Sequence, residues 1–314
     1  MRLGGSLRER SAIESRALIK DQSDAAWYTM YESRSIPSFI ATVSIPPDDF
    51  DDLLRVFSVH YTVCSGPGRR GRPPRVQQKH AVLAMLLHYY TAAVEHKTLQ
   101  ELFGVSPTTF SRVCDAAVRW PSKALQRDWA VLTNAKEPLV EGVFAFVDGK
   151  NCRVQSPSNA DLQNAHYNGW LHCVYVTGCL CFGVDGTLIW ARHNCPGSWI
   201  DGEVSRHIQA HVSDELFVAP GMKIASDSAF PVSGRCSGRI ITPLKEDDLD
   251  RNPPRDRQAA EWGMGATGKV YRQLLLPLPY NPLVRGRRLS NMFQLYNFRV
   301  RRTGLSQIKN VFGA

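Results

Sequence analysis

Three carboxylates occupy positions from which regular structure could present them together. Asp148 closes the apolar run Val143-Phe-Ala-Phe-Val147, Asp227 follows Met222-Lys-Ile-Ala-Ser226, and Glu261 lies on a helix-like stretch just after Arg257. An apolar strand carries a terminal carboxylate to the sheet edge, where ligands bind in open α/β folds. Three gathered carboxylates repel one another unless cations lie between them. Hard oxygen donors suit Mg2+ or Mn2+. Two such ions about 4 Å apart can activate a water and stabilise the leaving oxygen of a phosphodiester. The competing explanation is local: aspartates at strand ends are common turn formers, and Asp148-Gly149 has that composition. Asp201 is open in the same way, because it could simply cap the helix that follows it.

Other chemistries lack their residues. There is no Walker sequence, no GxSxG elbow and no GxGxxG, so a P-loop NTPase, an α/β-hydrolase and a Rossmann dehydrogenase are unsupported. His166, His172, His193, His207 and His211 make no HExxH or similar zinc spacing. The eight cysteines contain no CxxC pair, against a zinc finger or ribbon. Several fall in strand-like apolar runs, where a free thiol behaves as a small hydrophobe; this predicts a reducing compartment, cytosol or nucleus.

The elements that would position the acids begin near residue 140. Residues 143–147, 171–182, 187–193, 222–225 and 239–244 read as strands, and 198–212 as a helix. A further helix holds 257–261, although Gly263, Gly265 and Gly268 each weaken its continuation by about 1 kcal/mol relative to alanine. Strands mixed with helices predict an α/β core. Upstream, residues 1–47 read as irregular. Residues 48–135 read as helical, with helices at 48–63 and 76–95 and a helix-turn-helix pattern beyond. In that pattern Thr98 and Glu101 form a capping box, Gly104 ends one helix, and Ser106-Pro107 starts the next. Its outward residues would be Thr108, Thr109, Ser111, Arg112, Asp115 and Arg119, types that reach bases or phosphates. An ordinary helical hairpin explains the pattern equally.

Forty-three per cent apolar and 21% charged residues describe a globular chain, neither disordered nor rod-like. The longest uncharged runs, 81–94 and 169–184, are shorter than the ~20 residues that cross a bilayer. The N-terminus lacks the apolar core of a secretory signal. The 38 basic and 29 acidic residues leave a net charge of +9, and its placement is uneven. No Asp or Glu follows Glu261, whereas nine basic residues do: Lys269, Arg272, Arg285, Arg287, Arg288, Arg299, Arg301, Arg302 and Lys309. A one-signed block attracts polyanions, nucleic acid above all, or serves only solubility. Arg70-Gly-Arg72-Pro73 has the composition of an AT-hook core, whose arginines enter a narrow minor groove; a plain basic linker has it too.

Five ordered stretches carry a resemblance: Phe146-Val-Asp-Gly149, Gln163-Asn-Ala-His-Tyr-Asn-Gly-Trp-Leu-His172, Pro196-Gly-Ser-Trp-Ile-Asp201, Ala225-Ser-Asp-Ser-Ala-Phe-Pro231 and Arg257-Gln-Ala-Ala-Glu-Trp-Gly263. Leu295-Tyr-Asn-Phe-Arg-Val-Arg301 matches more weakly. Over residues 50–312 the chain resembles the DDE-superfamily endonucleases of PIF/Harbinger-type transposons, most closely those of fungi and oomycetes. The resemblance implies an RNase H-like mixed sheet flanked by helices, spanning 140–312 with a basic helical C-terminal part. It implies two Mg2+ or Mn2+ ions on Asp148, Asp227 and Glu261. The reaction it implies is cleavage at transposon ends, then attack of the freed 3′-hydroxyl on target DNA. It further implies double-stranded DNA as substrate; the residues read above as able to contact it are Arg70, Arg72, Thr108, Thr109, Ser111 and Arg112, with Arg299, Arg301 and Arg302 of the basic C-terminal block. Action as a homo-oligomer on DNA, a Myb-like accessory protein, no membrane and a nuclear location complete the expectation. Arg69–Arg75 and Arg285–Arg288 would be weak import signals. A DNA-binding protein of transposon origin that no longer cuts is the alternative. A nuclease acting on RNA–DNA hybrids has no feature of its own beyond the fold.

Overall fold

The computed structural model describes residues 24–61, 78–92, 123–137, 141–226, 230, 236, 238–242 and 254–313. The proposed helix-turn-helix, with Thr108, Thr109, Ser111 and Arg112, lies outside them, as do Arg70, Arg72 and Asp227. The chain divides into two compact units, Met1–Cys114 and Asp115–Ala314.

The first unit contains α1 (Ala26–Ser33), α2 (Ile36–Val43), α3 (Pro47–His60) and α4 (Lys79–Thr91). Helices at 26–43 correct the expectation of irregular chain up to residue 47. The reason is aromatic burial that the mixed polar texture hides. Trp27 is fully buried, with ring centroids 5.4 Å from Phe39 and 5.5 Å from Phe50. Its indole Nε1 donates to His80 Nδ1 at 3.1 Å, and Tyr31 stacks on His80 at 4.2 Å. Burial lowers the pKa of His80, which keeps Nδ1 available as that acceptor.

The second unit starts with α5 (Lys123–Lys136), a helix grouped by sequence with the upstream region but packed here on the first strand of the sheet. Then come β1 (Val143–Gly149), β2 (Cys152–Arg153), α6 (Ala160–His166), β3 (Tyr167–Asn168), β4 (Cys173–Gly183), β5 (Leu188–Pro196), α7 (Asp201–Ser213), β6 (Lys223–Ala225) and β7 (Ile240–Ile241). The order closes with α8 (Pro254–Val270), a short 3-10 turn (Arg272–Leu275), α9 (Pro282–Thr303) and α10 (Gln307–Phe312).

The main path of the sheet is β2-β4-β1-β6-β7, with β5 and β3 also paired to β4. β1 runs antiparallel to β4 and parallel to β6, β4 antiparallel to β5, and β6 parallel to β7. Residues 143–147 are completely buried. An uninterrupted apolar run of this kind belongs to a central strand covered on both faces. The mixed sheet flanked by helices agrees with the expected fold.

Two helices hold the sheet in ways their sequences disguise. α9 begins under the Asn281 side chain, which accepts from Leu283 N and Val284 N at 3.0 and 3.1 Å, and stops at Gly304 in the left-handed region (φ 66°). Inside it, Asn297 Oδ1 accepts from Leu188 N and Asn297 Nδ2 donates to Leu188 O, both at 2.7 Å. The side-chain amide thus pairs the start of β5 as a neighbouring strand would. α8 runs unbroken through the glycines that were expected to weaken it. A Cβ on Gly263 would lie 2.6–2.8 Å from the Phe182 ring, so the missing side chain is what lets α8 approach β4. Pro254 opens the helix, a position where its lacking N–H costs nothing.

Helix propensity and packing predict opposite signs here. Gly263→Ala gains about 1 kcal/mol of propensity but forces an atom into the buried Phe182 ring, and overpacking costs about 1–3 kcal/mol. The expected net result is a lower melting temperature. Gly265→Ala, with open space around its Cβ, should raise it by the propensity gain alone. Thermal unfolding of both variants checks this; stabilisation by Gly263→Ala contradicts the packing.

Candidate active site

The site is built where the central strand leaves the sheet. Asp148 pairs across from Leu180 and Gly149 from Cys179, the last register positions of β1. Asp148 is half-buried, and its Oδ1 accepts from Gly149 N at 2.6 Å. Lys150 N then donates to Gly178 O at 2.8 Å and turns the chain toward β2.

A second carboxylate meets this edge. Asp201 is the first residue of α7, and the N-cap position is Ile200. Asp201 Oδ1 lies 3.4 Å from the point a Cβ would occupy on Gly149. Both carboxylates also act on one thiol. Cys179 is pushed well above the ordinary range, first by burial, then by Cys181, Asp148 and Asp201. The two side chains that meet at this edge are carboxylates, so the donors they offer are oxygens.

The opening of α7 at Asp201 is fixed by two of the stretches quoted above. Gly197 packs so tightly that a Cβ would lie 2.4 Å from Tyr175 O and 2.6 Å from His166 O. Ser198 Oγ donates to Ala165 O at 2.8 Å, and Asn168 Nδ2 donates to Gly197 O at 3.1 Å. The end of α6 and the start of β3 therefore clamp the segment that leads into Asp201. Arg285 of α9 holds the clamp from behind. Its side chain donates to Asn194 Oδ1, to Pro279 O at 3.2 Å and Tyr280 O at 2.9 Å, and contacts His166 Nε2 at 3.1 Å. Burial, then the Arg285 charge, lowers the His166 pKa, which suits a neutral ring accepting from the guanidinium. Arg285 is 1% exposed. This corrects the reading of Arg285 as part of a basic surface block or an import signal: its guanidinium is consumed in the interior.

The remaining expected ligands stand as follows. Asp227 lies outside the described residues. It comes two positions after Ala225, and Ala225 pairs with Phe146, itself two positions before Asp148. Ser226 Oγ, beside Asp227 in sequence, is buried and has no hydrogen-bond partner among the described residues. Glu261 is exposed on α8, the helix that packs across β1 and β4. Among the described residues no group of three or more His, Cys, Asp or Glu is arranged to hold a metal. The oxygen-only chemistry of Asp148 and Asp201, with the orphaned Ser226 hydroxyl near the neighbouring strand end, fits a hard divalent cation.

The expected DNA contacts separate. Arg301 and Arg302 are exposed, Arg302 with its guanidinium 5.5 Å over the Phe298 ring. Arg299 is half-buried and acts electrostatically on Tyr271 and Tyr296, lowering the pKa that burial raises in each. No described helix is long and apolar enough to cross a membrane.

The domain is thus an α/β fold, a seven-stranded mixed sheet flanked by helices with an acidic edge where its central strand ends. Residues 147–293 match the family described as DDE superfamily endonuclease. Two solved structures also align with 91% of this chain and 93% of their own: the Mos1 mariner paired end complex with Mn, at 10% identity and a TM-score of 0.30, and a pre-cleavage Mos1 transpososome, at 13% identity and 0.30. No curated protein matches the chain.

The sequence left Asp201 undecided between a cap and a functional acid. The Pro-Gly-Ser-x-x-Asp stretch was the available signal; the missing information was that its backbone is wedged against α6 and β4.

Proposed function

We propose that this chain is the metal-dependent endonuclease of a DDE transposase, acting on DNA phosphodiesters at transposon ends and joining the 3′ ends to target DNA. The observation that carries the reading is the meeting of Asp148 and Asp201 at the end of β1, within a segment that matches the DDE superfamily endonucleases. Asp227 completes the set in this reading, supported by the parallel register of β1 and β6. Glu261 would join from α8. When bound, Mg2+ or Mn2+ at such a site supplies an activated water and charge stabilisation at the leaving oxygen.

The chain's own residues have separable tasks in this scheme. Asp148 and Asp201 hold negative charge at the strand end. The clamp made by Ser198, Gly197 and Asn168 fixes where Asp201 stands. Exposed Arg301 and Arg302 offer cations to phosphates, whereas Arg299 is engaged with Tyr271 and Tyr296. Homo-oligomeric action, a Myb-like accessory protein, a PIF/Harbinger origin and nuclear location belong to the same reading.

Supercoiled plasmid nicking tests the enzyme. The expected result is nicking in Mg2+ or Mn2+ that falls to background in EDTA and in Asp148→Asn, Asp201→Asn and Asp227→Asn, with duplex affinity retained in all three variants. DNA binding without metal-dependent nicking would instead leave a DNA-binding protein that does not cut.

The salt dependence of duplex binding tests the basic helix. Each phosphate contact contributes about −0.9 to the slope of log K against log[salt]. Replacing both Arg301 and Arg302 by glutamine should therefore make the slope shallower by about 1.8. An unchanged slope would remove this end of α9 from the interface.

A further inference from the structure

The hairpin between β3 and β4 exposes an aromatic residue in a manner that packing does not explain. Trp170 is 91% exposed. Its backbone is nevertheless fixed: Asn168 Oδ1 accepts from Trp170 N at 3.1 Å and from Leu171 N at 3.0 Å. The same amide donates to Gly197 O at 3.1 Å, four residues before Asp201. One side chain therefore shapes the turn that presents Trp170 and fastens that turn to the segment entering the acidic edge. Tyr167, Leu171 and Ile200 are exposed on the same two hydrogen-bonded segments, at 42%, 39% and 76%. Single exposed apolar residues are ordinary; a rigid group of them rimmed by polar residues marks a binding surface.

The surroundings favour a polyanion. From residue 150 to 175 the sequence carries Lys150 and Arg153 against one acid, Asp161. Arg153 is exposed and donates to the Tyr175 hydroxyl at 3.2 Å, on the strand that leads from the hairpin to the residue opposite Asp148. Arg192 lies 5.2 Å over the Trp199 ring, in the clamped segment. Cations interleaved with aromatic faces are the composition that binds nucleic-acid strands, because every base has a π-face to stack.

We propose that Trp170 is a base-stacking residue, its indole packing on a nucleobase of the DNA strand whose phosphate sits at the Asp148 edge. This rests on the reading of DNA as the substrate. The spacing is set by β4. Seven residues separate Cys173, at the hairpin, from Leu180, opposite Asp148. At about 3.3 Å per residue that is roughly 23 Å. The stacked base therefore lies on the order of 20 Å from the phosphate at the edge. The hairpin acts as a ruler, and Trp170 is its outer contact.

The test is the affinity of the full chain for a short fluorescein-labelled single-stranded oligodeoxynucleotide, measured by anisotropy in EDTA so that no metal-dependent step contributes. Trp170→Ala should weaken binding roughly tenfold, Trp170→Phe should restore most of the loss, and Trp170→Leu should not. All three should melt at the wild-type temperature, because the side chain touches solvent. Wild-type affinity in Trp170→Ala, or rescue by Leu equal to that by Phe, overturns the proposal. The two readings fail separately: intact metal-dependent nicking with a neutral Trp170→Ala removes only the stacking, whereas an aromatic-dependent affinity without nicking removes only the nuclease.

Discussion

A carboxylate cannot be ionised in the middle of a strand that is dry on both faces. Burying an unpaired charge costs far more than one strand contributes, so an acid on β1 is confined to the point where the strand emerges. Residues 143–147 are fully buried and Asp148 is half-exposed immediately after them. Charge, solvent and backbone termination coincide at that one place. The neighbouring elements are arranged around it: β6 runs parallel beside β1, α7 begins against Gly149, and α8 lies across β1 and β4.

Bringing a second negative charge to the same edge requires rigidity, because two carboxylates left to themselves move apart. The rigidity comes through backbone contacts. Gly197 admits no side chain between Tyr175 O and His166 O, and Ser198 and Asn168 tie the two strands of the clamp. Arg285 satisfies two carbonyls, Asn194 and His166 from within α9. A buried guanidinium is tolerated only when its donors are taken up, and here they tie the last residues of β5 and the entry to α9 to the end of α6. Asn297 does the same at the other end of β5. The long C-terminal helix is thus a brace for the sheet as well as a carrier of exposed cations.

Much of this was legible in the sequence. The strand ending at Asp148, the helix containing Glu261 and the α/β core followed from apolar runs and their punctuation. The glycines of α8 misled because propensity treats Gly263 as a weakness, while the fold uses its missing Cβ against Phe182. The helices at 26–43 were invisible for a related reason: Trp27, Tyr31 and Phe39 form a cluster with Phe50 and His80, partners distant along the chain. Net charge could not distinguish Arg285, buried, from Arg301, exposed, since composition carries no burial. Asp201 was undecided because the sequence does not show that its carboxylate approaches Gly149 or that Ile200 holds the cap position.

The claim beneath the functional reading is that these carboxylates together bind a divalent cation. Titration of Mn2+ into the full chain, followed by the loss of its free-ion electron paramagnetic resonance signal, measures this without DNA or turnover. Uptake at a site that Mg2+ competes for, strongly weakened by Asp148→Asn and by Asp201→Asn but unchanged by Asp214→Asn at the far end of α7, is the expected result. Equal Mn2+ affinity in wild type and Asp148→Asn would contradict the account.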